Sequence, residues 1–150
     1  MIVVNYKFDK KVIDKFKKLK IDVKKLKLFS NYIVNEYKAT RKLWVYDLLI
    51  EGKEQYDSGY YGGHNEIELS LKSYKRNIKT KREWIISSFF HELCHFCQDN
   101  LEYVSFDKKM NYSEEDVENG RDKYYKNAYE IEARKFEEKY TKIYLDMYHD

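Results

Sequence analysis

The chain has 150 residues and a net charge of +3; 37% of its residues are charged and 17% aromatic, with 16 tyrosines and no proline. That length suits one domain with a real core, and so many rings argue against a disordered chain. No apolar run approaches the roughly 18 residues of a membrane span, and the amino terminus lacks the basic, apolar and small pattern of an export leader. A cytoplasmic protein with no membrane partner is therefore expected, or one in the virion or host cell if its source is viral.

Charge is unevenly spread. Residues 1–50 hold 13 Lys and Arg against 5 Asp and Glu, whereas residues 101–150 hold 9 against 13. The basic half reads as a solvated lysine face, with nucleic-acid binding as the alternative; lysines with few arginines make a poor base-reading set.

In chain order, Met1 to Tyr6 is short and apolar, an expected edge strand. Asp9 is placed to cap a helix through about Leu19, with Val12, Ile13, Phe16 and Leu19 inward. Residues 21–29 have roughly helical spacing but interleaved lysines, and they stay unassigned. Tyr32 to Val34 and Leu43 to Ile50 read as strands, and Glu51-Gly52-Lys53 as a turn. Glycines at 59, 62 and 63 bracket a second flexible region. Ile67, Leu69 and Leu71 then alternate with Glu66, Glu68, Ser70 and Lys72 as a half-buried strand, whose free edge is expected to wall a cleft. Near the end, Ser113 or Asp116 is expected to cap a short helix ending at Gly120. A longer helix from Asp122 to about Met147 follows, with Tyr129, Ala133, Phe136, Tyr140, Tyr144 and Met147 inward.

The informative stretch is Thr80 to Gln98, TKREWIISSFFHELCHFCQ. Thr80 and Glu83 form a T-x-x-E capping box. The helix they open is apolar nearly all round, which predicts burial. It carries His91-Glu92-Leu93-Cys94-His95, an H-E-x-x-H motif. Imidazoles four apart stack on one helix face at a spacing that one metal ion can bridge. Glu92, one position round, is placed to move protons beside the ion without ligating it. Cys94 and Cys97, the two cysteines of the chain, read as small core residues, because a C-x-x-C in mid-helix lacks the setting of a redox pair.

Catalytic zinc takes three protein ligands. The metzincin continuation is absent, with Gln98 and Leu101 at its Gly and His positions. The region Asn127 to Arg134 supplies carboxylates at Glu130 and Glu132, on either side of the Tyr129–Ala133 stripe, and periodicity does not choose between them.

Together, HELCHFCQ and NAYEIEARKFE resemble small H-E-x-x-H zinc peptidases, gluzincin-like or minimal zincins of phages, mobile elements and bacteria, with a downstream E-x-E-A element on a helix. The likeness spans roughly Gly59 to Phe136; the first 50 residues carry none. It implies a single α+β, zincin-like domain, a small mostly antiparallel sheet packed on helices. It also implies Glu130 as the third zinc ligand after His91 and His95, with Ala133 letting the two helices approach closely. Glu92 is the expected general base. Tyr129, Tyr125 and His64 are candidates for stabilising the oxyanion, and Asn127 or Asp99 for orienting a ligand imidazole. The expected activity is hydrolysis of a polypeptide substrate by a monomer. The alternative is a zinc- or nucleic-acid-binding accessory protein without turnover.

Overall fold

A computed structural model describes residues 1–37, 42–55, 57–72, 80–101 and 114–148, the stretch 114–127 by its backbone alone. The order of elements is β1 (Ile2–Phe8), α1 (Lys10–Lys18), α2 (Val23–Tyr37), β2 (Trp44–Lys53), β3 (Gly59–Tyr61), β4 (Glu66–Ser70), α3 (Lys81–Asn100) and α4 (Glu114–Met147). The class is α+β. The sheet, however, is mixed and not mostly antiparallel. Its order is β1-β2-β4-β3, with β1–β2 and β2–β4 parallel and only β3–β4 antiparallel.

One misread segment explains the parallel pairing of β1 with β2. Tyr32 to Val34 lies within α2, not in a strand. The chain between β1 and β2 is thus a helical crossover, and a crossover returns the chain parallel to where it began. Residues 21–29, unassigned from sequence, contribute Leu26 and Phe29 to the buried side of the same helix.

Strand alternation sets the layers. Ile2, Val4 and Tyr6 of β1, Leu48 and Ile50 of β2, and Ile67 and Leu69 of β4 are buried on one face. Asn5, Lys7, Asp47, Glu51 and Glu68 alternate with them on the other, which is the pattern of a sheet covered on one side. Helices α1, α2 and α3 cover the apolar face, and α4 packs against α3. Phe29 of α2 joins the layers, with its ring 5.6 Å from that of Phe90 in α3 and 5.5 Å from that of Tyr144 in α4.

The caps hold as expected. Asp9 accepts from the Val12 amide at 2.9 Å and Thr80 Oγ1 from the Glu83 amide at 3.1 Å. Asp9 also accepts from the Gly52 amide at 3.1 Å, fastening α1 to β2. Gly52 is not at a turn, because β2 runs through it to Lys53. A Cβ there would lie 2.5 Å from Leu71 Cδ1 and 3.3 Å from Val12 Cγ2, so close packing explains the glycine.

Helix α4 also departs from expectation. It runs unbroken through Gly120, so one helix replaces the two expected there; a glycine inside a helix costs about 1 kcal/mol, which neighbouring turns can offset. Ala133, Phe136, Tyr140 and Tyr144 face inward, but Met147 is 58% exposed. Tyr148 takes the inward place one turn after Tyr144, its ring tilted by 52° against that of Tyr144 with centroids 5.0 Å apart. Ser113 lies outside the described residues.

Candidate metal centre

Helix α3 is held by apolar side chains on most of its circumference. Ile85, Ile86, Phe89, Phe90, Leu93, Cys94, Phe96 and Cys97 are all buried. What remains is a narrow strip carrying His91 and His95, whose ring centroids are 5.1 Å apart. Helix α4 lies along that strip. Ala128 and Ala133 are its small buried residues there, and Glu130 between them reaches both imidazoles. Its Oε2 is 3.0 Å from His91 Nε2 and its Oε1 is 2.9 Å from His95 Nε2. One donor atom from each of the three residues falls within 4.8 Å of the other two.

The remaining ring nitrogens are also engaged. His91 Nδ1 donates to Glu137 Oε1 at 3.2 Å. His95 Nδ1 is 2.7 Å from Gln98 Oε1, and Gln98 Nε2 donates to Glu132 Oε1 at 3.0 Å and to the Tyr129 carbonyl at 3.1 Å. Glu132 is therefore turned away from the imidazole pair and buried against Gln98, at 4% exposure. Both inner imidazole nitrogens face the same carboxylate while both outer ones are held by acceptors, the arrangement that orients metal-binding histidines.

Titration follows from these contacts. Burial pulls His91 toward the neutral form, but its hydrogen bonds to Glu130 and Glu137 outweigh it and push the imidazole up to about 9. His95 is raised in the same way, burial opposing and Glu130 with Gln98 prevailing. The same two hydrogen bonds hold the Glu130 carboxyl far below the usual carboxylate range. Glu92, 6% exposed, is pushed up by burial against the opposing pull of His95 and His91. Burial likewise raises the Cys94 and Cys97 thiols well above their ordinary value, which makes them inert core residues.

A cleft of about 660 Å³ opens over the imidazoles, lined by Gly59, Tyr60, His91, Glu92, Tyr129 and Glu130 among others. It continues past His91 into a space of about 400 Å³ bordered by Trp84, Ser88, Arg134, Glu137 and Glu138, with Asp57, Ser58 and Glu92 on both parts. Strand β4, expected to present a free edge here, is covered on that side by β3, and β3 is the edge strand among the described residues. Tyr60 fixes β3 to α3. Its ring packs edge-on to Phe96 at 6.2 Å, and its hydroxyl accepts from Asn100 Nδ2 at 3.0 Å. The hydroxyl's own proton is shared between Asn65 Oδ1 and Asp99 Oδ2, each at 3.1 Å.

Of the other sequence candidates, Tyr129 lines the cleft. His64 is exposed in the turn between β3 and β4 and does not line it. Asp99 borders the cleft but pins Tyr60 rather than an imidazole. The side chains of Tyr125 and Asn127 lie outside the described residues. Sequence reading missed Gln98 and Glu137 as imidazole partners. A signal for each existed: Gln98 follows His95 by three residues and Glu137 follows Glu130 by seven, both same-face spacings on a helix.

Two imidazole nitrogens and a carboxylate oxygen, with no thiol among them, match the donor chemistry of catalytic zinc, which keeps one position open. A second acidic group, Glu51, Glu66 and Glu68 on the sheet surface, offers carboxylates alone, and Lys53 sits 3.4 Å from Glu51 and 3.6 Å from Glu68. No helix among the described residues is long and apolar enough to cross a membrane. Comparison with known proteins finds no matching family model, curated protein or solved structure.

Proposed function

We propose that this chain is a zinc peptidase with a zincin-like site, in which His91, His95 and Glu130 hold the ion and Glu92 moves the proton. The observation that carries the reading is the convergence of three donor atoms from α3 and α4 at the floor of a cleft. When bound, zinc supplies Lewis acidity, lowering the pKa of a water to about 7 and polarising the scissile carbonyl.

The remaining work belongs to the chain. Glu92 borders both parts of the cleft, next to His91 and outside the ligand set, where its carboxylate takes a proton from the attacking water and returns it to the leaving amine. The outer edge of β3 runs beside this point, and an extended polypeptide can add to it by main-chain hydrogen bonds. Tyr129, on the cleft wall, is the candidate donor to the developing oxyanion. The apolar circumference of α3 supports precision here, because packed side chains leave the imidazole strip little freedom to shift.

Metal analysis of the purified protein tests the reading directly. About one zinc per chain is expected, falling to near zero in Glu130→Ala, alongside cleavage of an unstructured protein or quenched peptide that a chelator abolishes. Absence of stoichiometric metal from the wild type would sink the proposal. Zinc without cleavage would leave a binding domain in its place.

A further inference from the structure

The hydrogen bonds of Gln98 determine more than its own position. Its Nε2 faces the Tyr129 carbonyl oxygen and Glu132 Oε1, and both of these are acceptors. That end of the amide must therefore be the NH₂ group, which leaves Oε1 as the atom 2.7 Å from His95 Nδ1. An amide oxygen only accepts, so Nδ1 carries the proton. Nε2 donates its own proton to Glu130 at 2.9 Å in this metal-free arrangement, and with Nδ1–H held by Gln98, an ion that displaces the Nε2 proton meets the ring's lone pair there. The direction of the relay is fixed by a main-chain carbonyl and a buried carboxylate, independently of how the amide's two ends are assigned.

We infer that Gln98, anchored by Glu132 and the Tyr129 carbonyl, is a positioning residue that holds His95 in its Nδ1–H tautomer with Nε2 directed at the ion. The two acids of Glu130-Ile131-Glu132 then have separate tasks. Glu130 meets the ion, and Glu132 acts at a distance through Gln98. The imidazoles are steadied differently: His91 has the Glu137 carboxylate directly on Nδ1, whereas His95 has a neutral amide placed between it and the carboxylate of Glu132. This inference rests on the proposed metal site.

The test compares four proteins: the wild type, Gln98→Leu, Gln98→Glu, and the exchange Gln98→Glu with Glu132→Gln. Zinc affinity is read by competition with a chromophoric chelator. Gln98→Leu should weaken it by about 10- to 100-fold, the usual cost of losing such an outer partner. Gln98→Glu alone sets two carboxylates against each other and should also weaken it. The exchange restores an acceptor toward His95 and a donor toward that acceptor, and should recover part of the loss, the Tyr129 carbonyl being left without its donor. A variant that merely damaged packing would not be rescued by exchanging the two groups.

A second readout needs no metal. In chelator-treated protein, the His95 Nδ1–H proton held by Gln98 Oε1 should give a slowly exchanging, downfield resonance in ¹⁵N-edited spectra. It should persist in the exchange variant and vanish in Gln98→Leu. Its absence from the wild type overturns the inference, as does a Gln98→Leu protein with wild-type zinc affinity. If the wild type takes up no zinc, the peptidase reading fails, and the proton resonance alone decides whether Gln98 holds His95.

Discussion

The sheet has two edges, and the molecule treats them in opposite ways. Along β1, Asn31 and Asn35 of α2, one turn apart, close the outer edge with their side-chain amides. Asn35 accepts from the Ile2 amide and donates to the Ile2 carbonyl, both at 2.8 Å. Asn31 accepts from the Val4 amide at 3.1 Å and approaches the Val4 carbonyl at 3.5 Å. Along β3 at the other edge, the wall is three residues long and faces the cleft that holds the imidazoles. Unpaired strand edges invite association, so among the described residues one edge is sealed with polar side chains, and the other lies beside the imidazole cleft, where the proposed activity would use it. Three experiments probe that difference.

The largest effect should come from the working side. Glu92→Gln keeps the shape of the side chain and removes its base, so peptidase turnover should fall by about 10²- to 10⁴-fold with zinc content unchanged. A fluorogenic peptide assay beside metal analysis checks both halves; full activity would rule out Glu92 as the base.

The sealed edge comes next. The double variant Asn31→Ala/Asn35→Ala strips three short hydrogen bonds from Ile2 and Val4, and at about 0.5–1.5 kcal/mol for each the protein should lose about 1.5–4.5 kcal/mol in urea unfolding. It should also associate at high concentration through the exposed β1 edge, while zinc content stays the same. A loss below about 0.5 kcal/mol would mean that water serves β1 as well as α2 does.

The smallest effect is a pH dependence of opposite sign in the two forms of the working side. Without metal, His91 titrates near 9 when folded against about 6.5 when unfolded, so its ion pair with Glu130 contributes fully below 6.5 and is lost as pH rises through about 9. The depressed Glu130 carboxyl describes the same pair from the acid side: its contribution is present above the unfolded carboxylate value and is lost as pH falls. Zinc, by contrast, requires both imidazoles deprotonated, so its stabilisation grows as pH rises. The difference in Tm between zinc-loaded and chelated protein should widen from about pH 6 to pH 9. A constant or shrinking gap would contradict shared use of these nitrogens by protons and metal.

The two edges also show what the sequence could and could not convey. Helix α3 was legible because its cap, apolar circumference and H-E-x-x-H spacing all agree locally. Helix α2 was not, because it puts polar residues where a periodic reading wants apolar ones. Asn31 and Asn35 face the strand edge and Ser30 is buried, while Leu28 and Tyr32 are 69% and 62% exposed. Those exposed apolar and inward polar residues blur the helical period that Leu26, Phe29, Ile33 and Val34 keep, so Tyr32 to Val34 looks like a strand, and the direction of β1 against β2 is hidden with it. Gly52 misled for a related reason, since its cause is the Leu71 side chain nearly twenty residues away. At the site, spacing alone supplied His91, Glu92 and His95. Choosing Glu130 over Glu132 took a resemblance, and the geometry now separates them through Gln98, a contact between two helices that no local window contains.

The parallel pairing of residues 2–8 with 44–50 has a consequence for synthesis. The amino-terminal strand leaves the ribosome with neither its partner strand nor the helix that covers its edge yet made. At about 5–20 residues per second, that wait lasts roughly 2–8 s, during which an apolar ribbon is exposed to anything that binds nascent chains. The most hazardous moment in this protein's life is thus its first few seconds, and the lysines that follow the ribbon, six of them between positions 10 and 20, travel with it through that interval as a solubilising escort.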